Sequence, residues 1–112
     1  MFSSTSIAEW SYISSNYDGD EFYVDYNRIR KVDGFVYFWT MTNFAKKDEY
    51  GDFSANTYHQ GDCKIFRLKD LKINFYKKQM GKELSESLTP ENKWRYPTPG
   101  SSIEKMLGSV CN

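Results

Sequence analysis

The chain contains two cysteines, Cys63 near its middle and Cys111 next to its last residue. Neither lies in a Cys-x-x-Cys motif, and with the single histidine they supply too few ligands for the four-coordinate site of structural zinc. In an oxidising compartment an even number of cysteines indicates a disulfide, whereas cytosolic pairs are inert or redox-active. We therefore expect a Cys63–Cys111 disulfide that fastens the C-terminus, and no metal site.

A nucleophilic cysteine is the alternative. His59 lies four residues before Cys63, and strand alternation would put both side chains on one side, where an imidazole lowers the pKa of a thiol. The carboxylates of Asp25, Asp62 and Asp70 are possible partners for the same histidine, but no Gly-x-Ser-x-Gly or comparable motif accompanies them. The sequence favours a non-enzymatic protein, with an enzyme using His59 as an alternative.

The first eight residues suggest export. The segment FSSTSIA ends with Ser6 and Ala8, small residues two positions apart, which is the spacing of a signal-peptidase site. We expect residues 1–8 to be the remainder of a signal peptide or a disordered N-terminus, and residues 9–112 to form one domain. Export to the periplasm, to the cell surface or into the medium would provide the oxidising environment that a disulfide needs.

Aromatic residues make up 18% of the chain, more than a small helical bundle needs and close to what strands prefer. Fifteen basic and fifteen acidic residues cancel, so no global field attracts nucleic acid, and we expect no nucleic-acid partner. The densest apolar run, FVYFW at 35–39, is far shorter than the roughly 20 residues of a membrane span. The composition predicts a β-rich domain without a membrane-spanning segment.

Alternation and turn signals predict about five to six antiparallel strands. Residues 9–15 form one, with Trp10, Tyr12 and Ser14 on the same side, and two Asp-Gly pairs bracket two more short strands or one bent strand. Residues 35–44 are apolar on both sides of the alternation, as in a central strand covered on both faces.

After this central strand the sequence predicts a charged loop and a hairpin. The loop AKKDEYGDF re-enters the sheet near Ser54, and two strands, DCKIFRLKDL and KINFYKKQMG, are joined around Lys69 and Asp70. Residues 81–100 hold all three prolines and predict a long surface loop pinned by Trp94 and Tyr96.

The end of the chain predicts a short amphipathic helix. Ser101 precedes Glu104 by three residues, which is a capping box. An apolar stripe follows at helical spacing, made of Ile103, Met106, Leu107 and Val110. Because a helix of about ten residues is marginal alone in water, it must dock on the sheet. Cys111, in its last turn, would hold it there.

Short motifs occur in a defined order along the chain: Trp-x-x-Ile, then FYVD, RIRKVDG and VYFW, then DC, a tyrosine-bearing strand ending in MG, a Trp before Tyr-Pro, and a helix ending in Cys. This order, over residues 9–111, resembles the bacterial surface-adhesin protein E family. The resemblance implies an α+β fold: a bent antiparallel sheet of about five to six strands, with a C-terminal α-helix packed on one face and tethered by the disulfide.

The resemblance also implies adhesion from the surface of a Gram-negative bacterium, to host matrix and plasma proteins such as vitronectin and laminin. Binding in the family is associated with basic residues ahead of the first cysteine, where this chain has Lys46 and Lys47. Aromatic side chains that flank the same loop add contact area. The candidate binding residues are Lys46, Lys47, Tyr50, Phe53 and Tyr58.

The leading hypothesis is therefore a non-enzymatic exported domain that contacts a host matrix protein or an envelope component. It needs no cofactor. The alternative is a periplasmic carrier that holds an apolar or porphyrin-like molecule between the sheet and the helix. The sequence does not indicate an oligomeric state.

Overall fold

The computed structural model describes residues 8–112, so the expectation for residues 1–8 lies outside the described residues except at Ala8. This part of the chain forms seven strands, one 3-10 helix and one α-helix. Their bounds are β1 Trp10–Ser15, β2 Glu21–Asp25, the 3-10 helix Tyr26–Arg28, β3 Arg30–Val32, β4 Phe35–Asn43, β5 Ser54–Asp62, β6 Arg67–Lys78, β7 Lys82–Leu88 and α1 Ser102–Cys111.

All neighbouring strands are antiparallel, in the order β1-β2-β4-β5-β6-β7. β2 pairs with the second half of β4, and β3 pairs with its first half. Because the 3-10 helix joins β2 to β3, the two strands together line most of one edge of β4. The two Asp-Gly pairs therefore bracket two strands. The α+β fold, with a C-terminal helix on an antiparallel sheet and a Cys63–Cys111 disulfide, is confirmed.

Helix α1 covers one face of the sheet, which we call the covered face; the other is the open face. The core lies between α1 and the covered face, and its fully buried side chains come from β2, β4, β6 and the helix. They are Val24, Val36, Phe38, Leu68, Met106, Leu107 and Val110. Because side chains alternate along a strand, the residues between these core positions point to the open face.

Strand β4 is central, as expected, but its two faces differ. Val36 and Phe38 are buried under the helix, whereas Tyr37 and Trp39, on the open face, are half-buried. The cover over these two rings comes from neighbouring side chains, because Tyr58 and the arginines of the adjacent segments lie against them. The expected burial on both faces is therefore correct for the second half of the strand, where Met41 and Asn43 on the open face are also buried, and wrong for its first half.

The predicted turn at Lys69 and Asp70 is wrong, because β6 runs unbroken through both residues. The chain reverses at residues 63–66 instead, where the carboxylate of Asp62 accepts the backbone N–H groups of Lys64 and Ile65 at 3.1 and 3.2 Å. A carboxylate that caps the backbone two residues ahead stabilises a turn without Gly or Pro.

The prediction of a continuous surface loop over 81–100 is wrong for its first part. Residues 82–88 form β7, an edge strand that is exposed along its whole length and is joined to β6 through Met80 and Gly81. Trp94 does pin the later segment, since its ring stacks on that of Phe35 with 5.9 Å between centroids. The ring of Tyr96 is 63% exposed.

Strand β1 contains a bulge that the alternation did not predict. Tyr12 pairs with Tyr23, but the next pair is Ser14 with Phe22, so one residue is inserted between the two pairs. Ser14 therefore lies on the covered face and not beside Tyr12. Its hydroxyl accepts a hydrogen bond from that of Ser102, in the first turn of α1, at 3.2 Å. The bulge thus joins the edge strand to the helix.

The helix begins at the predicted cap. The Ser101 hydroxyl accepts the backbone N–H of Glu104 at 3.2 Å, and the Glu104 carboxylate accepts the N–H of Gly100 at 2.8 Å. At the other end Cys111 is bonded to Cys63, with 5.4 Å between the Cα atoms. A cap and a covalent bond therefore fix both ends of a ten-residue helix whose apolar stripe faces the sheet.

Replacing both cysteines by serine should lower the free energy of unfolding by about 4 kcal/mol, because a bridge across 48 positions restricts the unfolded chain to that extent in the chain-entropy model. Urea denaturation of the double variant and of the native protein, each with and without reductant, measures the difference. The reduced native protein should match the variant. Equal stability of the oxidised protein and the variant would contradict the bracing role of this bond.

Gly61 is required by the close approach of the helix to β5. A Cβ atom there would lie 2.8 Å from Val36 Cγ1 and 2.9 Å from Leu107 Cδ1. Gly61→Ala should therefore destabilise by about 1–3 kcal/mol, the usual cost of overpacking a core. The control is Gly108→Ala, whose Cβ would meet nothing nearer than 4.0 Å and which should stabilise the helix by about 1 kcal/mol. Thermal unfolding measures both, and a stabilising Gly61→Ala would contradict the tight helix–sheet contact.

Candidate functional site

The charged loop between β4 and β5 is held in shape by Asp48. Its carboxylate accepts the backbone N–H groups of Tyr50 and Asp52, each at 2.9 Å, and its own N–H donates to the carbonyl of Asp52 at 2.9 Å. Lys46 and Lys47 are exposed at the start of this loop. The loop is therefore an ordered element that presents two cations to solvent.

Two of the predicted aromatic residues belong to the same loop. The Lys47 ammonium lies 5.7 Å from the centroid of the Phe53 ring, and the Tyr50 side chain is 73% exposed. Tyr50 borders a depression of about 280 Å³ that it shares with Asp48, Asp52, Phe75, Glu86 and Leu88. The structure thus brings Lys47 and Phe53 into contact, and Lys46 and Tyr50 lie in the same loop.

Tyr58 lies elsewhere. It pairs with Trp39 and Lys72 across the sheet and points to the open face, where its ring centroid is 4.9 Å from that of Trp39. Phe75, which borders the Tyr50 depression, pairs with Ala55 of β5 and lies on the covered side of the sheet. The predicted binding residues therefore fall into a loop group of four and one open-face residue.

The open face carries a cluster of rings and cations that the sequence analysis missed. We call it the open-face cluster; its members are Trp10, Arg28, Arg30, Phe35, Tyr37, Trp39, Tyr58, Arg67, Lys69, Lys72 and Trp94. The alternate aromatic positions of FVYFW and the pattern Arg-x-Arg before it are visible in the sequence. Only the strand register shows that they meet.

Cations in the cluster lie over aromatic rings. The Arg28 guanidinium is 5.8 Å from the Trp10 centroid and 5.4 Å from that of Trp39, and Arg30 is 5.6 Å from Tyr37. Arg28 also donates from Nε to the buried Asp25 carboxylate at 2.6 Å. Each such ring contact is favourable by about 0.5–1 kcal/mol at an exposed site and restricts where the cation lies.

The same arrangement recurs at the β6 end of the cluster. Arg67 and Lys69 lie 4.2 and 4.6 Å from the centroid of the Trp94 ring. Arg67 donates from Nε to Asp62 at 3.1 Å. Burial tends to raise the pKa of Asp62, but the N–H groups of the turn and the Arg67 guanidinium outweigh it, so the pKa is lowered.

His59 belongs to a buried polar chain on the covered side of the sheet. Its Nε2 is 2.8 Å from Thr40 Oγ1 and its Nδ1 is 2.9 Å from Asp70 Oδ1, an oxygen that Arg95 also contacts at 2.8 Å. Burial lowers the pKa of His59, which keeps the imidazole neutral. For Asp70 burial acts in the opposite sense, but hydrogen bonds from His59 and Arg95 outweigh it and lower the pKa to about 2.

Thr40, His59 and Asp70 are connected to one another as the residues of a hydrolytic triad are. Their location in the fold differs from that of a triad. Thr40 is 4% exposed and His59 is 2% exposed, and neither borders the depressions described in this section. A nucleophile needs contact with its substrate. The nucleophilic-cysteine alternative is wrong, because Cys63 is consumed by the disulfide. His59 therefore has a structural role that orders β4, β5 and β6.

The carrier hypothesis needs space between sheet and helix, and that space is filled. Phe38, Leu68 and Leu107 are fully buried there and belong to one cluster. A wider depression of about 720 Å³ lies at the start of α1, beside Phe22 and Ile103 and open to solvent.

Over residues 8–112, no three or more His, Cys, Asp or Glu side chains are grouped as metal ligands would be.

Comparison with protein families gives one match: a model described as surface-adhesin protein E matches residues 10–112. No curated protein matches the chain. In the part of the chain that the structure describes, no helix has the length and apolar character of a membrane span.

Several solved structures share the fold. Crystal form II of Haemophilus influenzae protein E is 18% identical, with a TM-score of 0.63 over 89% of this chain and 86% of that one. A second structure of Haemophilus influenzae protein E is 16% identical, with a TM-score of 0.63 over 99% and 90% of the two chains. Protein E from non-typeable Haemophilus influenzae is 17% identical, with a TM-score of 0.59 over 89% and 74%. At these identities the likeness concerns the fold.

Protonation of His59 should destabilise the protein. The folded-state pKa lies below 6.5, so the unfolded chain binds the proton more readily, and stability is complete above about pH 6.5 and falls as the pH drops below it. The slope should approach about 1.4 kcal/mol per pH unit well below pH 6.5. Urea denaturation between pH 7.5 and 5 measures it.

His59→Gln is the control for this measurement, since His59 is the one histidine in the chain. The variant should be less stable at pH 7.5 but should lose most of the slope between pH 7.5 and 5. The contribution of Asp70 is lost at lower pH, below about 4 and towards its folded-state pKa of about 2, so the two residues are separable. A variant with an unchanged slope would contradict the assignment to His59.

Proposed function

Because this chain belongs to the surface-adhesin protein E family, we propose that it is a non-enzymatic exported domain that binds a macromolecular partner. The proposed partner is a host matrix or plasma protein, such as vitronectin or laminin, with an envelope component as the alternative. Both the family and the disulfide indicate an exported or surface protein. Of the three exported locations considered, the family favours the cell surface over the periplasm.

The observation that most supports this function is the ordered, exposed loop between β4 and β5. Tyr50 is 73% exposed on a backbone that the Asp48 carboxylate holds in place, and Lys46 and Lys47 are exposed beside it. A large aromatic side chain on a pre-ordered loop gives contact area at a low cost in conformational entropy. Nothing in the described core requires this exposure, so we assign it to contact with a partner.

The buried position of His59 favours the same conclusion over an enzymatic one. The chain has one histidine, and its imidazole is buried and lies against Thr40 and Asp70. Both cysteines are joined to each other. The accessible side chains include cations, carboxylates and aromatic rings, which suit recognition of a partner's surface.

Alanine at Lys46, Lys47 and Tyr50 together should weaken capture of immobilised vitronectin or laminin by about tenfold or more, as expected when an exposed aromatic anchor and two cations are removed. The melting temperature should change little, because the three side chains are exposed. Surface plasmon resonance measures capture and calorimetry measures melting.

The matched control replaces Tyr17, Lys64 and Lys105 by alanine. These are also one tyrosine and two lysines, all exposed and outside the loop. The control should retain full capture. Undiminished capture by the loop variant would remove the loop from the binding site, and no capture of either host protein by the native domain would contradict the proposed partners.

A further inference from the structure

We propose that the open-face cluster is a docking surface for an acidic segment of a protein partner. The inference rests on the proposed function in one respect, namely that the domain binds proteins. It concerns a different surface from the β4–β5 loop and specifies the chemistry of what lies on it.

The strand register places the cations of this face in two adjacent rows. In one row Arg30 of β3, Tyr37 of β4, Gln60 of β5 and Lys69 of β6 lie side by side. Neighbouring strands are about 4.8 Å apart, so the Cα atoms of Arg30 and Lys69, at the two ends of this row, are about 14 Å apart. The next row holds Trp39, Tyr58 and Lys72. The face is thus a flat array with cations at its borders and rings and an amide between them.

The positive charge of this array is not neutralised locally. Of its five cations, Arg28 and Arg67 are paired with Asp25 and Asp62. The other three have no carboxylate within ion-pairing distance among the residues that the structure describes; they are Arg30, Lys69 and Lys72. A chain with no net charge therefore has three cations without a paired carboxylate in this cluster.

The aromatic rings hold two of these cations in place. Arg30 lies 5.6 Å from the Tyr37 centroid and Lys69 lies 4.6 Å from that of Trp94, which is itself stacked on Phe35. A cation already restricted by a ring loses less side-chain entropy when it meets a carboxylate. The array is consequently pre-organised to bind anionic groups.

The composition of the face favours a protein segment over a polysaccharide or a nucleic acid. Trp, Tyr and Arg are the residue types that dominate binding energy at protein interfaces. Stacking of sugars or bases needs free ring faces, whereas here the rings of Tyr37, Trp39 and Trp94 are each approached by a cation. Carboxylates can meet the outward N–H groups of those cations while apolar atoms contact the ring edges.

The test uses a synthetic 20-residue peptide of alternating Glu and Tyr, with a Gln and Tyr peptide as the neutral control and dextran sulfate as the polysaccharide probe. The native domain should bind the acidic peptide and not the neutral one. The variant with Gln at Arg30, Lys69 and Lys72 should lose about tenfold in affinity, as expected for three weak ion pairs. Isothermal titration calorimetry at 50 and 300 mM salt measures the affinity and its salt dependence.

The matched control places Gln at Lys31, Lys64 and Lys105, which are exposed, have no ion pair among the described residues and lie off the open face. It changes the net charge equally and should retain affinity within about twofold, since such distant charges are screened by salt. A third variant, with Arg30→Lys, Lys69→Arg and Lys72→Arg, keeps the charges and should bind as the native domain does.

Equal losses in the open-face variant and its control would show diffuse attraction and would overturn the proposal. Failure of the native domain to bind the acidic peptide would also overturn it, as would binding of dextran sulfate alone.

Tyr58→Leu should weaken peptide binding without unfolding the domain; undiminished affinity would contradict the role of the rings. If the domain captures vitronectin or laminin but does not bind the peptide, the open face is rejected as a docking surface and the proposed function is kept. If it binds the peptide but captures neither host protein, only those two partners are rejected.

Discussion

Docking of one short helix organises this domain. A ten-residue helix is marginal alone in water, so α1 exists because its stripe, including Leu107, lies against Val36 and Phe38 and because Cys63 holds its last turn. Seven strands alone could bury neither face. The helix gives the sheet a covered side with a dry core, whereas on the open face Tyr37 and Trp39 are only half-buried and Lys72 is exposed. Every later distinction between structural and functional residues follows from that asymmetry.

The asymmetry explains why chemically similar residues have different roles. His59 and Asp70 lie on the covered side, where burial and mutual contact turn a pair suited to catalysis into a support between strands. Tyr58, one position before His59, points to the other side and lies against Trp39. Alternation alone thus places adjacent residues of one strand in a buried polar chain and in the proposed docking surface.

The sequence predicted the parts of the fold that local chemistry specifies. The Ser101 cap, the apolar stripe and the even cysteine count are short-range or compositional, and all were confirmed. Strand β7 was missed because an exposed edge strand carries no apolar pattern and is defined by hydrogen bonds to β6. The loop residues could be proposed from the sequence because they are contiguous in it. The open-face cluster was missed because its members, from residue 10 to residue 94, meet only through the register.

The neutral composition describes the charge of the whole chain but not that of its faces. Screening reduces the reach of a surface charge to about 8 Å at physiological ionic strength. The domain measures 26 Å along its shortest principal axis. Carboxylates on the covered side therefore do not cancel the field that a partner meets above Arg30, Lys69 and Lys72. A balanced total charge predicts weak long-range attraction to polyanions, whereas short-range recognition depends on which side of each strand a cation occupies.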